Sequence, residues 1–212
     1  MSEICYQLHH LFNSLPRHRF PFDDVEIPRN GIYVMFEEGE RAHGVDRIVR
    51  VGTHTGDNQL RSRLKQHFVK ENKNWSIFRK NIGRAILYRD NDPFLEQWEW
   101  DMTPKKAKEQ YLPLLDEKKL RETEEEVTSI IQQNFTFVVF EVNDKDARLK
   151  WEEKIISTVS WCDECGPSPD WLGLFSPKKK IRESGLWLVN GLYKEGLTWQ
   201  EFEELARIVR AE

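Results

Sequence analysis

The chain has 212 residues, 39% of them hydrophobic and 12% aromatic with 8 Trp and 12 Phe, which is enough apolar surface for a core and excludes intrinsic disorder as its main character. No run approaches the roughly 18 apolar residues a membrane helix needs, His9, His10 and Asn13 interrupt the stretch a secretion signal would keep apolar, and three cysteines (Cys5, Cys162 and Cys165) are too few for a disulfide framework. A soluble cytoplasmic protein without a membrane partner is expected, and a net charge of -4 excludes one that coats nucleic acid by bulk positive charge.

In chain order, Asn30-Gly31 is a turn signal that opens a run of β-formers over 32–36, predicting a buried strand. Residues 37–44 are polar with two glycines and predict a loop, and 47–52 alternate polar and apolar residues like the second strand of a hairpin. A helix is predicted from Asn58, with Leu60, Leu64 and Phe68 on one stripe, and a second over 76–88 through Ile77, Phe78, Ile82 and Ile86. Residues 90–134 are acidic, carry Pro93, Pro104 and Pro113, and hold a Glu/Lys-rich helical stretch over 117–133, as an inserted helical excursion would. The clearest strand spans 135–142, and Asp144 is suited to cap a helix running to about Trp161. A Gly/Pro loop at 166–169, an apolar segment at 186–189 and a closing helix over 198–210 follow, with no internal repeat.

Charge is unevenly spread. Residues 47–84 carry ten basic side chains against Asp57 and Glu71, a local balance of +8 in a chain of net charge -4. Such asymmetry points either to an anionic ligand such as a phosphate backbone or to the solvated faces of two helices.

Three groupings carry chemistry. In the helix after Asp144, Leu149, Ile155, Ile156 and Val159 define an apolar stripe with Glu152 in its middle and Glu153 turned about 100° away. A carboxylate on such a stripe is costly unless paired, so Glu152 is a candidate metal ligand, acid/base group or ion-pair partner. Arg63 and His67 stand one turn apart, combining a phosphate-binding guanidinium with an imidazole that titrates near neutrality. Cys162-Asp163-Glu164-Cys165 has the spacing of half a zinc site, but no second C-x-x-C or H-x(3-5)-H exists and Cys5 is remote, which favours two thiols in a turn after the helix. Trp75, Trp171 and Trp187 are aromatic enough to stack on bases, although large aromatics more often pack.

Gly31-Ile32-Tyr33, then Arg50-Val51-Gly52-Thr53, then Leu60-Arg61-Ser62-Arg63-Leu64-Lys65-Gln66-His67, in that order and followed by the helix with Glu152, resemble the GIY-YIG nuclease superfamily. The R-L-x-x-H spelling is most similar to the branch that includes some type II restriction enzymes and uncharacterised bacterial proteins. The resemblance covers about residues 28–172 and implies an α+β fold: a small three-stranded antiparallel sheet flanked by helices, interrupted by the insertion at 90–134 and followed by a helical extension at 173–212 packed on the core. It implies a metal-dependent endonuclease that hydrolyses phosphodiester bonds in double-stranded DNA with one Mg²⁺ or Mn²⁺. Tyr33, Arg63, His67 and Glu152 would be catalytic, with Glu152 the metal ligand, and Arg50, His54, Arg61, Lys65, Arg79 and Lys80 would contact nucleic acid. The chain has Arg50 where the second motif has tyrosine, and Asp170 is nearest to the asparagine that commonly follows the glutamate helix. Arginine stays protonated and is no general base, so the alternative is a nucleic-acid-binding or interaction module on the same fold that has lost turnover. Without a P-loop or dinucleotide fingerprint, a nucleotide enzyme is the weaker reading.

Overall fold

The computed structural model describes residues 2–210. Its elements are α1 (Ser2–Asn13), a short β1 (His18–Arg19), the hairpin β2 (Gly31–Ala42) and β3 (Val45–Gly52), α2 (Leu60–Phe68) and α3 (Ile77–Arg89). Three helices follow, α4 (Leu95–Glu99), α5 (Lys105–Tyr111) and α6 (Glu117–Asn134), then β4 (Phe135–Glu141), α7 (Lys145–Ser160), α8 (Lys179–Ser184) and α9 (Trp199–Val209). None of the described helices is long and apolar enough to cross a membrane.

Local chemistry sets the helix starts. Ser76 Oγ accepts from Arg79 N–H, Asp144 accepts from Ala147 N–H, and Thr198 with Glu201 forms a reciprocal capping box. The strands form one antiparallel sheet in the order β1-β4-β2-β3. Four strands replace the three expected, because the two residues of β1 pair with β4 at His18↔Phe137 and Arg19↔Thr136. The loop expected at 37–44 is corrected as well: β2 continues to Ala42, absorbing its polar stretch in a register irregularity between Phe36 and Arg41.

The period-2 pattern of β2 sorts the interior. Ile32, Val34 and Phe36 face one cluster with Val138, Phe140 and residues of α1, α7 and α9, while Tyr33 and Met35 face a second with Phe137, Val139 and residues of α2, α3 and α6. Residues 186–188 run along the edge of β3, where Trp187 N–H donates to Val49 O at 2.8 Å.

The basic segment is where the structure departs most from expectation. Arg47, Arg50, Lys73, Arg79, Lys80 and Arg84 are buried. Arg47 is held by Glu40 (2.9 Å from Nε), Arg79 by Glu124 (2.7 and 3.0 Å), and Arg84 by Glu99 (2.6 Å), while Lys80 donates to Glu99 O at 2.8 Å. Arg79 and Lys80, expected at a nucleic-acid face, are therefore interior cations. They arise because the segment 90–134 packs onto α3 and supplies their acidic partners. Ionic pairing in a dry interior leaves a large penalty when one partner is removed. Glu124→Ala should accordingly lower unfolding free energy by about 3 to 5 kcal/mol in urea titrations, whereas Glu122→Ala, which loses only an exposed contact to Lys118 on the same helix, should change it by less than about 0.5 kcal/mol. Equal effects would contradict the assignment.

Candidate active site

The site begins with a steric constraint in the hairpin. Tyr33 on β2 pairs with Gly52 on β3, and its phenol lies directly over that glycine, so a Cβ at position 52 would stand 2.2 Å from Tyr33 Oη. Gly31 is similarly confined, since a Cβ there would meet Phe140 O at 2.3 Å. The glycines of both sequence motifs thus follow from close approach.

Tyr33 and His67 are completely buried and joined, with Tyr33 Oη 2.8 Å from His67 Nε2. On its far side, His67 Nδ1 lies 2.7 Å from Ser76 Oγ. Ser76 Oγ already accepts from Arg79 N–H, and His67 Nδ1 is the acceptor available to the Ser76 hydroxyl proton, which assigns the single N–H of the neutral imidazole to Nε2. The phenol oxygen then accepts from His67, and at 3.4 Å from Arg50 Nε as well. Arg50 is fixed in turn by Trp187 O at 2.5 Å from its Nη1 and by the face of Phe78. Its pairing with Met35 puts it on the sheet face that carries Tyr33.

On α7, Glu152 turns inward and Glu153 outward. Glu152 Oε1 accepts from Thr53 N–H at 3.1 Å, while Glu153 is exposed and bonded to Lys194. Burial pushes the Glu152 carboxyl above the ordinary carboxylate range, against the opposing pull of Arg50, the Thr53 amide and Arg63. Among the described residues Glu152 makes no ion pair, unlike the buried Glu40 and Glu124. Thr53 also lines a cavity of about 300 Å³ with His54, Thr55, Gln59, Ser62, Arg63 and Gln66. Arg63 Nη1 is held there by Gln66 Oε1 at 3.0 Å and by Trp75 O at 2.9 Å.

The structure thus brings Tyr33, Arg50, Arg63, His67 and Glu152 into one neighbourhood. Other sequence candidates sit differently. His54 forms part of the cavity wall, with its ring nitrogens engaged by Gly31 N–H (3.3 Å) and Gly56 O (2.5 Å). Arg61 donates to Ile27 O at 2.6 Å, Lys65 pairs with Asp24, and Asp170 lies in an exposed turn. Trp171 and Trp187 are buried, both indole N–H groups donating to Glu37, while Trp75 is 52% exposed. Sequence reasoning missed Ser76 and Thr53. Ser76 was visible as a helix-capping residue, but nothing marked that its hydroxyl also meets His67.

Burial, reinforced by the positive charges of Arg50, Arg63 and Arg79, holds His67 well below the usual histidine value of 6.5. An unfolded chain takes up this proton near pH 6.5 and the native one does not, so His67's contribution to stability is complete above that pH and is lost as pH falls toward the native pKa. Urea unfolding at pH 7.5 and 5.5 should show His67 contributing a loss of about 1.4 kcal/mol. That part of the pH dependence should vanish in His67→Gln; an unchanged pH slope in the variant would refute it.

The GIY-YIG domain family profile matches residues 6–212. No curated protein and no solved structure shows a significant match. The match extends past the stretch carrying the motifs into the C-terminal segment, whose Trp187 carbonyl holds Arg50. With that match spanning nearly the whole sequence, the chain belongs to the GIY-YIG family, whose members are generally nucleases.

Proposed function

We propose that the protein is a metal-dependent endonuclease that hydrolyses phosphodiester bonds in double-stranded DNA. The observation that carries this reading is Glu152: a desolvated carboxylate without an ion-pair partner, held by the amide of a cavity residue beside Arg50 and Arg63. Glu40 and Glu124 each neutralise a buried arginine, and Glu37 is capped by two indole N–H groups away from the cavity, whereas Glu152 is held only by an amide at the cavity wall. Glu152 instead suits a hard cation that takes few protein oxygens and completes its coordination with water and phosphate, as Mg²⁺ or Mn²⁺ does. Such an ion would supply positive charge against a phosphate group.

The remaining steps belong to the chain's own residues. Arg63, on the cavity wall, neutralises charge on the phosphorus oxygens. Tyr33 and His67 move the proton. The phenol oxygen is held by the N–H donors of His67 and Arg50 and lies over Gly52, the residue beside Thr53 of the cavity wall. Arg50 holds the phenol in place and adds positive charge, taking a positioning role where relatives carry tyrosine. Trp75, exposed beside Arg63 and near the Lys70 ammonium, offers a stacking surface at the rim.

Plasmid incubated with Mg²⁺ or Mn²⁺ should be cut, EDTA should stop cleavage, and excess Mg²⁺ should restore it. Glu152→Gln should abolish cutting while Glu153→Gln retains it, and Tyr33→Phe and His67→Ala should each slow it by about 100-fold or more. Because Glu152 binds a cation only when ionised and its pKa is raised, cleavage should weaken as pH falls through that pKa, with added Mg²⁺ offsetting the loss. DNA binding without cleavage under either metal would instead favour an interaction module on this fold, and cutting by Glu152→Gln would overturn the metal assignment.

A further inference from the structure

The three cysteines meet although they are far apart in sequence. Cys5 of α1 and Cys165, beyond α7, have sulfurs 3.3 Å apart, and Cys162 is within hydrogen-bonding reach of both. The fourth member is His43, whose Nε2 lies 3.1 Å from Cys165 Sγ and 3.5 Å from Cys162 Sγ. All three sulfurs are buried. Ligand atoms around tetrahedral zinc at ordinary bond lengths stand about 3.5 to 3.8 Å apart, and the distances of 3.1, 3.3 and 3.5 Å within this cluster lie at or just below that spacing.

His43 shows that the cluster is built. It occupies the two-residue turn between Ala42 and Val45, with φ of 52° followed by 80° at Gly44. A turn with both residues at positive φ favours Asn-Gly and places its first side chain in solvent. Here the imidazole is only 2% exposed and aims at the thiols, while its other nitrogen faces Glu164 Oε2 at 3.5 Å. A carboxylate on the far nitrogen is the usual device for orienting a metal-bound histidine. His9 is close enough to be a rival ligand, its Nδ1 3.6 Å from Cys5 Sγ, but both nitrogens are already used: Nδ1 bonds to Cys5 O at 2.9 Å and Nε2 accepts from Ile48 N–H at 3.1 Å.

We propose that Cys5, His43, Cys162 and Cys165 form a closed structural Zn²⁺ site that clamps α1, the β2–β3 turn and the segment after α7 together. Three thiolates and one imidazole select zinc over the hard divalent ions suited to Glu152, so this site and the catalytic one take different metals. The sequence half-site Cys162-x-x-Cys165 is completed by residues more than a hundred positions away, and no local motif could reveal them. Thiols must lose their protons to bind, so loading releases protons to buffer and is favoured by higher pH.

Elemental analysis of the full-length protein, produced without chelator in zinc-supplemented medium, tests the proposal. One zinc per chain is expected, retained in His9→Gln and lost in Cys162→Ser with Cys165→Ser. If those variants fail to fold, the wild-type chain decides: mercurial titration of its thiols should release one zinc, and Co²⁺ exchange should give the intense near-ultraviolet thiolate band and tetrahedral visible spectrum. Chelation should lower the melting temperature by more than about 10 °C, reversed by Zn²⁺ and not by Mg²⁺. Zinc well below one per chain after reconstitution, a Cys5–Cys165 disulfide in its place, or full retention in the double variant would each overturn it. None of these readouts depends on nuclease activity.

Discussion

The balance of charge in a dry interior governs this molecule. Six cations from one stretch of sequence are buried, and a buried charge persists only when paired and hydrogen-bonded. Glu40 on β2, Glu99 on α4 and Glu124 on α6 supply three of the pairings, while backbone carbonyls take up Lys73, Arg50 and further bonds of the others. The segment 90–134 is therefore integral to the fold. It carries two of those glutamates, and through Arg79 and Ser76 it reaches the hydrogen bonds that fix His67. Two desolvated carboxylates make no ion pair among the described residues: Glu37, held by the indole N–H groups of Trp171 and Trp187, and Glu152, held by the Thr53 amide at the cavity wall.

The sheet converts this balance into geometry. A tyrosine that crosses its partner strand at a glycine can touch a helix residue on the far side, which brings β2, β3 and α2 to a single point. Arg50 extends the arrangement to the C-terminal segment, since its guanidinium rests on the Trp187 carbonyl while Trp187 N–H pairs with β3. Replacing a motif tyrosine by arginine has thus exchanged a titratable hydroxyl for a permanent charge anchored by residues outside the motif region. The same charge helps keep His67 neutral.

Much of this was legible in the sequence. The strands expected at 32–36, 47–52 and 135–142, the capped helices and the inward turn of Glu152 follow from local periodicity and capping, which depend only on near neighbours. The basic segment misled because composition reports charge without its partners. Glu124 lies 45 positions from Arg79, and no local pattern links them. For the same reason the two-residue β1, whose pairing with β4 is entirely long-range, and the continuation of β2 to Ala42 through an irregularity left no periodic trace. The likeness to the nuclease motifs succeeded where composition failed because it encodes order and spacing along the fold.

On the proposed reading, Glu152 is held in an unfavourable state for the sake of a cation. Its carboxyl is raised by burial, so ionising it costs the native state stability as pH climbs through its pKa, and that cost is absent at low pH. Thermal melts of Glu152→Gln and the parent protein at pH 8, in EDTA and then in excess Mg²⁺, measure this directly. The account predicts a variant at least as stable as the parent in EDTA, with the parent alone stabilised by Mg²⁺. A variant that melts well below the parent in EDTA, with no response to Mg²⁺ in either protein, would contradict it and make Glu152 an ordinary structural residue.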